Sequence, residues 1–149
     1  MCIRDSDITA SASSGYGSNI ALEAATNFFR TWTLSNRAAL SFLDRVYPAQ
    51  LLYFGKRSSK AYVMADKQAF VERWPQRAYS MRPGTVSTSC DPNDGSCTVS
   101  GIVDWRTSSI GRNAMSTGSA RFQLTFSTIG SQPTLLSEWT EVLTRHAGP

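Results

Sequence analysis

At 149 residues, 41% hydrophobic and 11% aromatic, the chain can bury one core of ordinary size and is too short for two. No run approaches the roughly 20 continuous apolar residues that cross a bilayer. The net charge is +4 and its surplus is local, with ten Lys or Arg against three acids in residues 30 to 82 and five against eight in the remainder. Those basic residues stand singly, without a tract or an RNA-binding signature, so nucleic acid is not an expected partner and a basic face around Arg30, Arg37 and Arg45 is read first as a solvated helical surface.

The opening Met1-Cys2-Ile3-Arg4-Asp5-Ser6 has no periodicity and resembles the read-through of a sequencing adaptor at the start of a metagenomic reading frame. Residues 7 to 18, DITASASSGYGS, are small and polar and read as a flexible linker. Residues 1–18 are therefore set aside as leader and linker, and residues 19–146 are taken as the domain. A linker implies something upstream, so the chain is expected to be the C-terminal part of a longer exported protein.

Leu22, Ala25, Phe29 and Trp32 recur at helical spacing over residues 20 to 33. Ser35 or Asn36 then caps a second helix with an apolar stripe of Ala39, Leu40, Leu43, Val46 and Tyr47, stopped by Pro48. Gln50-Leu51-Leu52-Tyr53-Phe54 reads as a short strand ended by Gly55. Ser58 or Ser59 opens a third helix carrying Val63, Phe70, Val71 and Trp74 until Pro75, and Asp66 and Lys67 fall among its apolar positions.

From Gln76 the period changes from 3.6 to 2, which predicts strands over about 76 to 90, 96 to 107, 111 to 128 and 133 to 145. Pro83-Gly84 should bend the first of them. In the third, Gly118, Ala120, Phe122, Leu124 and Phe126 share a face opposite Thr117, Ser119, Arg121, Gln123 and Thr125. One face is thereby buried and one wet.

Cys90 and Cys97 flank Asp91-Pro92-Asn93-Asp94-Gly95-Ser96, a run of turn residues between two strand-like segments. A hairpin there sets the two cysteines face to face, within reach of a disulfide. Two free thiols are the alternative. A metal site lacks partners, because His146 is the only histidine and sits at the tail. Disulfides persist in oxidising compartments, so a periplasmic or secreted location is expected.

The order helix, helix, short strand, helix, then long bent strands resembles the cone-shaped nuclear transport factor 2-like fold, a cystatin-like architecture shared with ketosteroid isomerase and SnoaL-like cyclases. The stretch LLYFGKRSSKAYVMADKQAFVERWPQRAYSMRPGT carries the likeness, with an aromatic-Gly strand end leading into a helix containing Phe and then into a long strand. The segment ADKQAFVERWPQRAYSMRPG with its paired-cysteine hairpin is also similar to small uncharacterised bacterial domains, often C-terminal in secreted proteins. The fold class implied is α+β, three N-terminal helices packed on a curved antiparallel sheet.

The resemblance implies a cavity between sheet and helices, where the enzymes of this fold place an Asp or His base and a Tyr or acidic hydrogen-bond donor. The candidate bases are Asp66 and Asp104, and the candidate donors Tyr53 and Tyr79; a desolvated Asp66 could act as general base. The plainer expectation is that Asp66 pairs with an Arg such as Arg77 or Arg82, or bonds backbone at the helix edge. Tyr53, Phe70, Trp74, Tyr79, Arg82 and Trp105 are the candidate ligand-binding residues, with Trp74, Tyr79 and Arg82 at the cavity mouth, suited to a small apolar or anionic ligand.

The single histidine, His146, stands at the very end of the domain, and neither a Ser-His-Asp set nor a Gly-rich phosphate loop is present, which disfavours the common hydrolase and nucleotide-binding chemistries. Neither cofactor nor metal is expected. The leading expectation is a non-catalytic domain that binds a small ligand or another protein, with an open sheet face available for a homodimer. The alternative is a cofactor-free, isomerase-like enzyme, and convergence of Asp66 and a Tyr hydroxyl on a cavity discriminates between them.

Overall fold

The computed structural model describes residues 5–148. Residues 1–4, with Cys2 and most of the expected leader, lie outside that range. In chain order the elements are α1 (Asp5–Thr31), α2 (Asn36–Val46), β1 (Gln50–Tyr53), β2 (Lys56–Ser59), α3 (Lys60–Arg73), β3 (Gln76–Met81), β4 (Ser87–Cys90), β5 (Ser96–Ser109), β6 (Ala114–Ser127) and β7 (Thr134–Gly148). Helix gives way to strand at Trp74, the C-cap of α3, as the change of period predicts. Among the described residues no helix is long and apolar enough to cross a membrane.

Helix α1 starts well before residue 20 and takes in the stretch whose composition reads as a linker. Its buried stripe is Ala21, Ala24, Ala25, Phe28, Phe29 and Trp32, whereas Leu22 is 40% exposed. Ala25, Phe29 and Trp32 are thus buried as the spacing predicts, and Ala21 rather than Leu22 begins the stripe. Gly17 continues it: a Cβ there would stand 3.4 Å from Cys97 Sγ, so this end of α1 lies close against the sheet.

Ser35 caps α2 by accepting from the Ala38 N–H at 3.2 Å, and Ser59 caps α3 by accepting from the Tyr62 N–H at 3.1 Å. Both helices therefore begin at the serines the sequence offers. Val63, Asp66, Lys67 and Phe70 follow one another at intervals of three, one and three residues, which places them on one side of α3. That side faces the sheet through Val63, which is fully buried.

The sheet runs β2-β1-β7-β6-β5-β3, with β4 also paired to β5. It is mixed rather than wholly antiparallel, because β1 runs parallel to β7 through Leu52↔Ser137 and Tyr53↔Glu138. Strand β2, absent from the sequence reading, is a Lys-Arg-Ser-Ser edge without alternation. Charged edges of this kind deter pairing with other chains. Phe54 and Gly55, at φ 53° and 79°, form the turn between β1 and β2 with both central residues at positive φ.

Strands β3 and β4 both pair with β5 and are separated at Pro83-Gly84, so the predicted first long strand is broken where expected. The β4–β5 hairpin sets Cys90 opposite Cys97, and the two are joined in a disulfide. Along β6, Ala120, Phe122, Leu124 and Phe126 are buried while Arg121 and Gln123 are exposed. They form the centre of the core with Val99, Val103 and Leu135, against Phe28 and Phe29 of α1 and Trp32 just past its end. Each buried Val, Leu or Phe among them adds roughly 1.5–3 kcal/mol by leaving water.

Two register shifts between β6 and β7 leave Leu136 and Leu143 of β7 without partners on β6. Each extra residue bends the strand and strengthens its twist. The sheet curls around the helices as a result.

Candidate functional site

A cavity of about 720 Å³ lies between the helices and the concave side of the sheet. Alternation decides which strand residues reach it: Val103, Trp105 and Thr107 of β5 line it, and the intervening Asp104 and Arg106 do not. Gly118 sits opposite Trp105 across the strands. A Cβ at Gly118 would fall 2.6 Å from the indole and 2.2 Å from the Thr144 carbonyl, so glycine is what lets this ring lie over β6.

The unpaired Leu136 sets what β7 contributes. Leu135 is fully buried, and simple alternation from it would turn residue 137 inward. The extra residue shifts the phase, so Glu138, Thr140 and Val142 line the cavity. The second unpaired residue, Leu143, shifts it again, and Arg145 and Ala147 line the mouth.

Glu138 anchors a buried polar network. Its Oε1 accepts from the Tyr47 hydroxyl at 2.5 Å, and its Oε2 pairs with the Lys67 ammonium. The Lys67 and Glu138 side chains are only 12% and 4% exposed. Lys67 Nζ also lies 5.3 Å from the Trp32 ring centroid and 5.2 Å from that of Tyr53, within range of both π-faces. Beside it the Tyr53 hydroxyl donates to Asp66 Oδ2.

Burial raises the Tyr47 hydroxyl well above its ordinary pKa, and the Glu138 carboxylate adds to the effect. Tyr53 is raised by burial and by its bond to Asp66. Tyr79, stacked on Phe29 with ring centroids 6.3 Å apart, is raised by burial, with Arg77 opposing. All three phenols are therefore protonated donors at neutral pH.

The expected pairing of Asp66 with Arg77 or Arg82 does not occur. Arg77 is buried and donates to the carbonyls of Trp32 at 2.9 Å, Leu34 at 2.9 Å and Trp74 at 2.7 Å, and to Asn36 Oδ1 at 2.7 Å. Arg82 makes a two-point contact with Asp104, at 3.1 and 2.6 Å. Both of those side chains are 45% exposed and belong to the outer face, so neither Asp104 as a base nor Arg82 as a ligand contact reaches the cavity.

Tyr53, Asp66, Phe70, Trp74, Tyr79 and Trp105 do line it together. Sequence reasoning missed Glu138 and the role of Tyr47, and noted Lys67 only as a charge among apolar positions. It also missed three mouth residues, Arg73, Arg112 and Arg145. The α3 spacing could have found Lys67; no local signal marks Glu138, whose direction depends on a bulge. Among the described residues no three of His, Cys, Asp or Glu gather as metal ligands do.

No family profile and no curated protein sequence matches the chain. Solved structures do. An uncharacterised protein with a cystatin-like fold from Caulobacter vibrioides superposes with a TM-score of 0.67 at 10% identity, covering 87% of this chain and 91% of its own. A candidate scytalone dehydratase from Novosphingobium aromaticivorans gives 0.69 at 5% identity, covering 86% and 85%. A candidate calcium/calmodulin-dependent protein kinase II association domain from Xanthomonas campestris gives 0.62 at 9% identity, covering 84% and 86%. The chain thus has the α+β cone of nuclear transport factor 2-like, cystatin-like proteins, and at such identities the likeness carries fold alone.

Proposed function

We propose that this chain is a small-molecule-binding domain whose ligand occupies the cavity between α1, α3 and the concave sheet. The observation that carries the reading is the cavity's make-up. A space of about 720 Å³ is walled by Phe28, Phe29, Phe70, Trp74 and Trp105 and holds a few convergent polar groups, Tyr53, Asp66, Lys67, Glu138 and Tyr79. Apolar walls with a few placed polar groups are what a small-ligand site requires. The Tyr79 hydroxyl makes no hydrogen bond to another described residue, which leaves it to a ligand.

The ligand is a largely aromatic or alicyclic molecule whose ring system packs against these walls. The Cys90–Cys97 disulfide supports service outside the reducing cytosol. N-phenylnaphthylamine, a neutral fluorescent aromatic, is the direct probe. Its emission should rise on mixing with the folded chain and lose that rise in Ala114→Trp, which fills the cavity. Equal enhancement in that variant would place the probe elsewhere and defeat the reading.

A second reading, an enzyme of the isomerase kind, is favoured by one observation: Asp66 lines the cavity with Tyr53 donating to one of its oxygens. A carboxylate so placed could take a proton from carbon beside a ligand carbonyl, while a neighbouring phenol donates to the enolate oxygen. Deuterium incorporation into β-tetralone, followed by NMR in heavy water, tests it. Exchange lost in Asp66→Asn with binding retained would establish catalysis, and no exchange above the Asp66→Asn background would leave binding alone.

A further inference from the structure

The charges lining the cavity are not evenly distributed. Asp66, Lys67 and Glu138 lie at one end and are engaged with one another or with tyrosines. Arg73, Arg112 and Arg145 stand at the other. Arg145 is seven residues beyond Glu138 on β7, on the order of 20 Å along a strand. Arg73 is seven residues beyond Asp66 on α3, about 10 Å along a helix.

Three different elements bring these arginines to one rim: the end of α3, the β5–β6 turn and the last third of β7. Among the described residues none of the three has a carboxylate partner, although acids elsewhere on the surface have taken cations, Asp104 with Arg82, Glu141 with Arg121 and Asp44 with Lys60. The Arg112 guanidinium carbon is 4.7 Å from the Trp74 ring centroid, and its Nη2 donates to the Arg73 carbonyl at 2.7 Å. One contact fixes the plane of the fork and leaves its other N–H groups uncommitted. The Arg145 guanidinium makes no hydrogen bond or ion pair to a described residue, although Arg145 itself is paired with Gly118 in the β6–β7 ladder.

From this polarity we infer that the natural ligand is an amphipathic aromatic anion, whose ring system enters the cavity and whose carboxylate or phosphate is held at the mouth by Arg73, Arg112 and Arg145. This rests on the cavity being the binding site and specifies its ligand. Guanidinium forks bind both anions in the same two-point manner. A charge at the rim keeps part of its hydration, and three cations of like sign crowded at one opening repel each other less once it is neutralised. The Trp74 indole beneath Arg112 continues the apolar wall up to the anion.

Anilinonaphthalene sulfonate and N-phenylnaphthylamine share one aromatic frame and differ by the anionic group, so their affinities for the intact chain isolate that group. The sulfonate should bind about tenfold more tightly or better, and added salt should weaken it alone. Arg145→Gln should weaken the sulfonate roughly three- to tenfold and leave the neutral probe within about twofold. Arg121→Gln, the same charge change on the outer face, should alter neither. Displacement of the bound sulfonate by naphthoate or by naphthyl phosphate, but not by naphthol, would support the inference and identify the anion.

Equal affinity for the two probes, or equal loss in Arg145→Gln and Arg121→Gln, would overturn the anion specificity while leaving the cavity reading intact. Failure of both probes to bind would overturn the two together.

Discussion

The Lys67–Glu138 pair lies where charge is costly. Removing one partner of a buried ion pair strands the other, at about 3–5 kcal/mol, whereas replacing both costs far less. Glu138→Gln keeps an acceptor for the Tyr47 hydroxyl but leaves the Lys67 ammonium unneutralised between two rings. Urea unfolding should therefore show Glu138→Gln destabilised by about 3 kcal/mol or more, and Lys67→Met with Glu138→Gln less destabilised than Glu138→Gln alone. Independent, additive effects would mean that the pair does not act as a unit. At this scale the sequence was half legible: helical spacing turns Asp66 and Lys67 inward, and alternation would have turned Asp104 outward had its parity with Val103 and Trp105 been followed. The direction of Glu138 could not be read, because one unpaired leucine reverses it.

Arg77 joins elements that share no regular hydrogen bonds. Its four contacts take up carbonyls at Trp32, just past the end of α1, at Leu34 before α2 and at Trp74 at the end of α3, together with the Asn36 side chain. Carbonyls at helix ends lack partners within the helix, and a planar fork satisfies several at once. Arg77→Lys should cost about 2–4 kcal/mol in denaturant unfolding, because an ammonium cannot reach the same set. A cost below about 0.5 kcal/mol would show that these ends are held by other contacts.

The β4–β5 hairpin carries the second element-scale expectation. A bond closing the short loop from Cys90 to Cys97 should contribute about 2–3 kcal/mol. Reduction, or the Cys90→Ser, Cys97→Ser double variant, should lower Tm by roughly 8 °C. No change on reduction would mean that the loop is already ordered without it. The hairpin was legible because turn residues and cysteines are local signals. The parallel pairing of β1 with β7 was not, since nothing local says which distant strand an edge will meet, and β2 has no alternation to betray it.

Across the whole molecule, three of five tyrosines are held neutral by burial from different elements, Tyr47, Tyr53 and Tyr79. An unfolded tyrosine ionises near pH 10.0 and these ionise higher when folded. The folded chain then binds more protons than the unfolded one above that pH, so stability is complete below it and falls as pH rises, by roughly 1.4 kcal/mol per pH unit for each tyrosine. Alkaline titration should show tyrosinate absorbance from these three appearing together with the loss of circular dichroism. Their ionisation in a chain that stays folded would contradict the burial described here.

The cone itself was legible in outline, because the change of period at Trp74 separates rods from pleated surface. Its curvature was expected only through the resemblance, because the two unpaired leucines of β7 that bend the strand carry no local signal. That curvature creates the cavity on which the functional account depends, and the four tryptophan indoles sample it: Trp32, Trp74 and Trp105 line the cavity, and Trp139, between Glu138 and Thr140, points the other way. Indole N–H signals in a proton–nitrogen correlation spectrum, followed during titration with N-phenylnaphthylamine, give the most direct measurement. The signals of Trp74, Trp105 and Trp32 should move while that of Trp139 stays fixed. Movement of Trp139 alone, or saturation with none of the cavity indoles disturbed, would contradict the cavity reading.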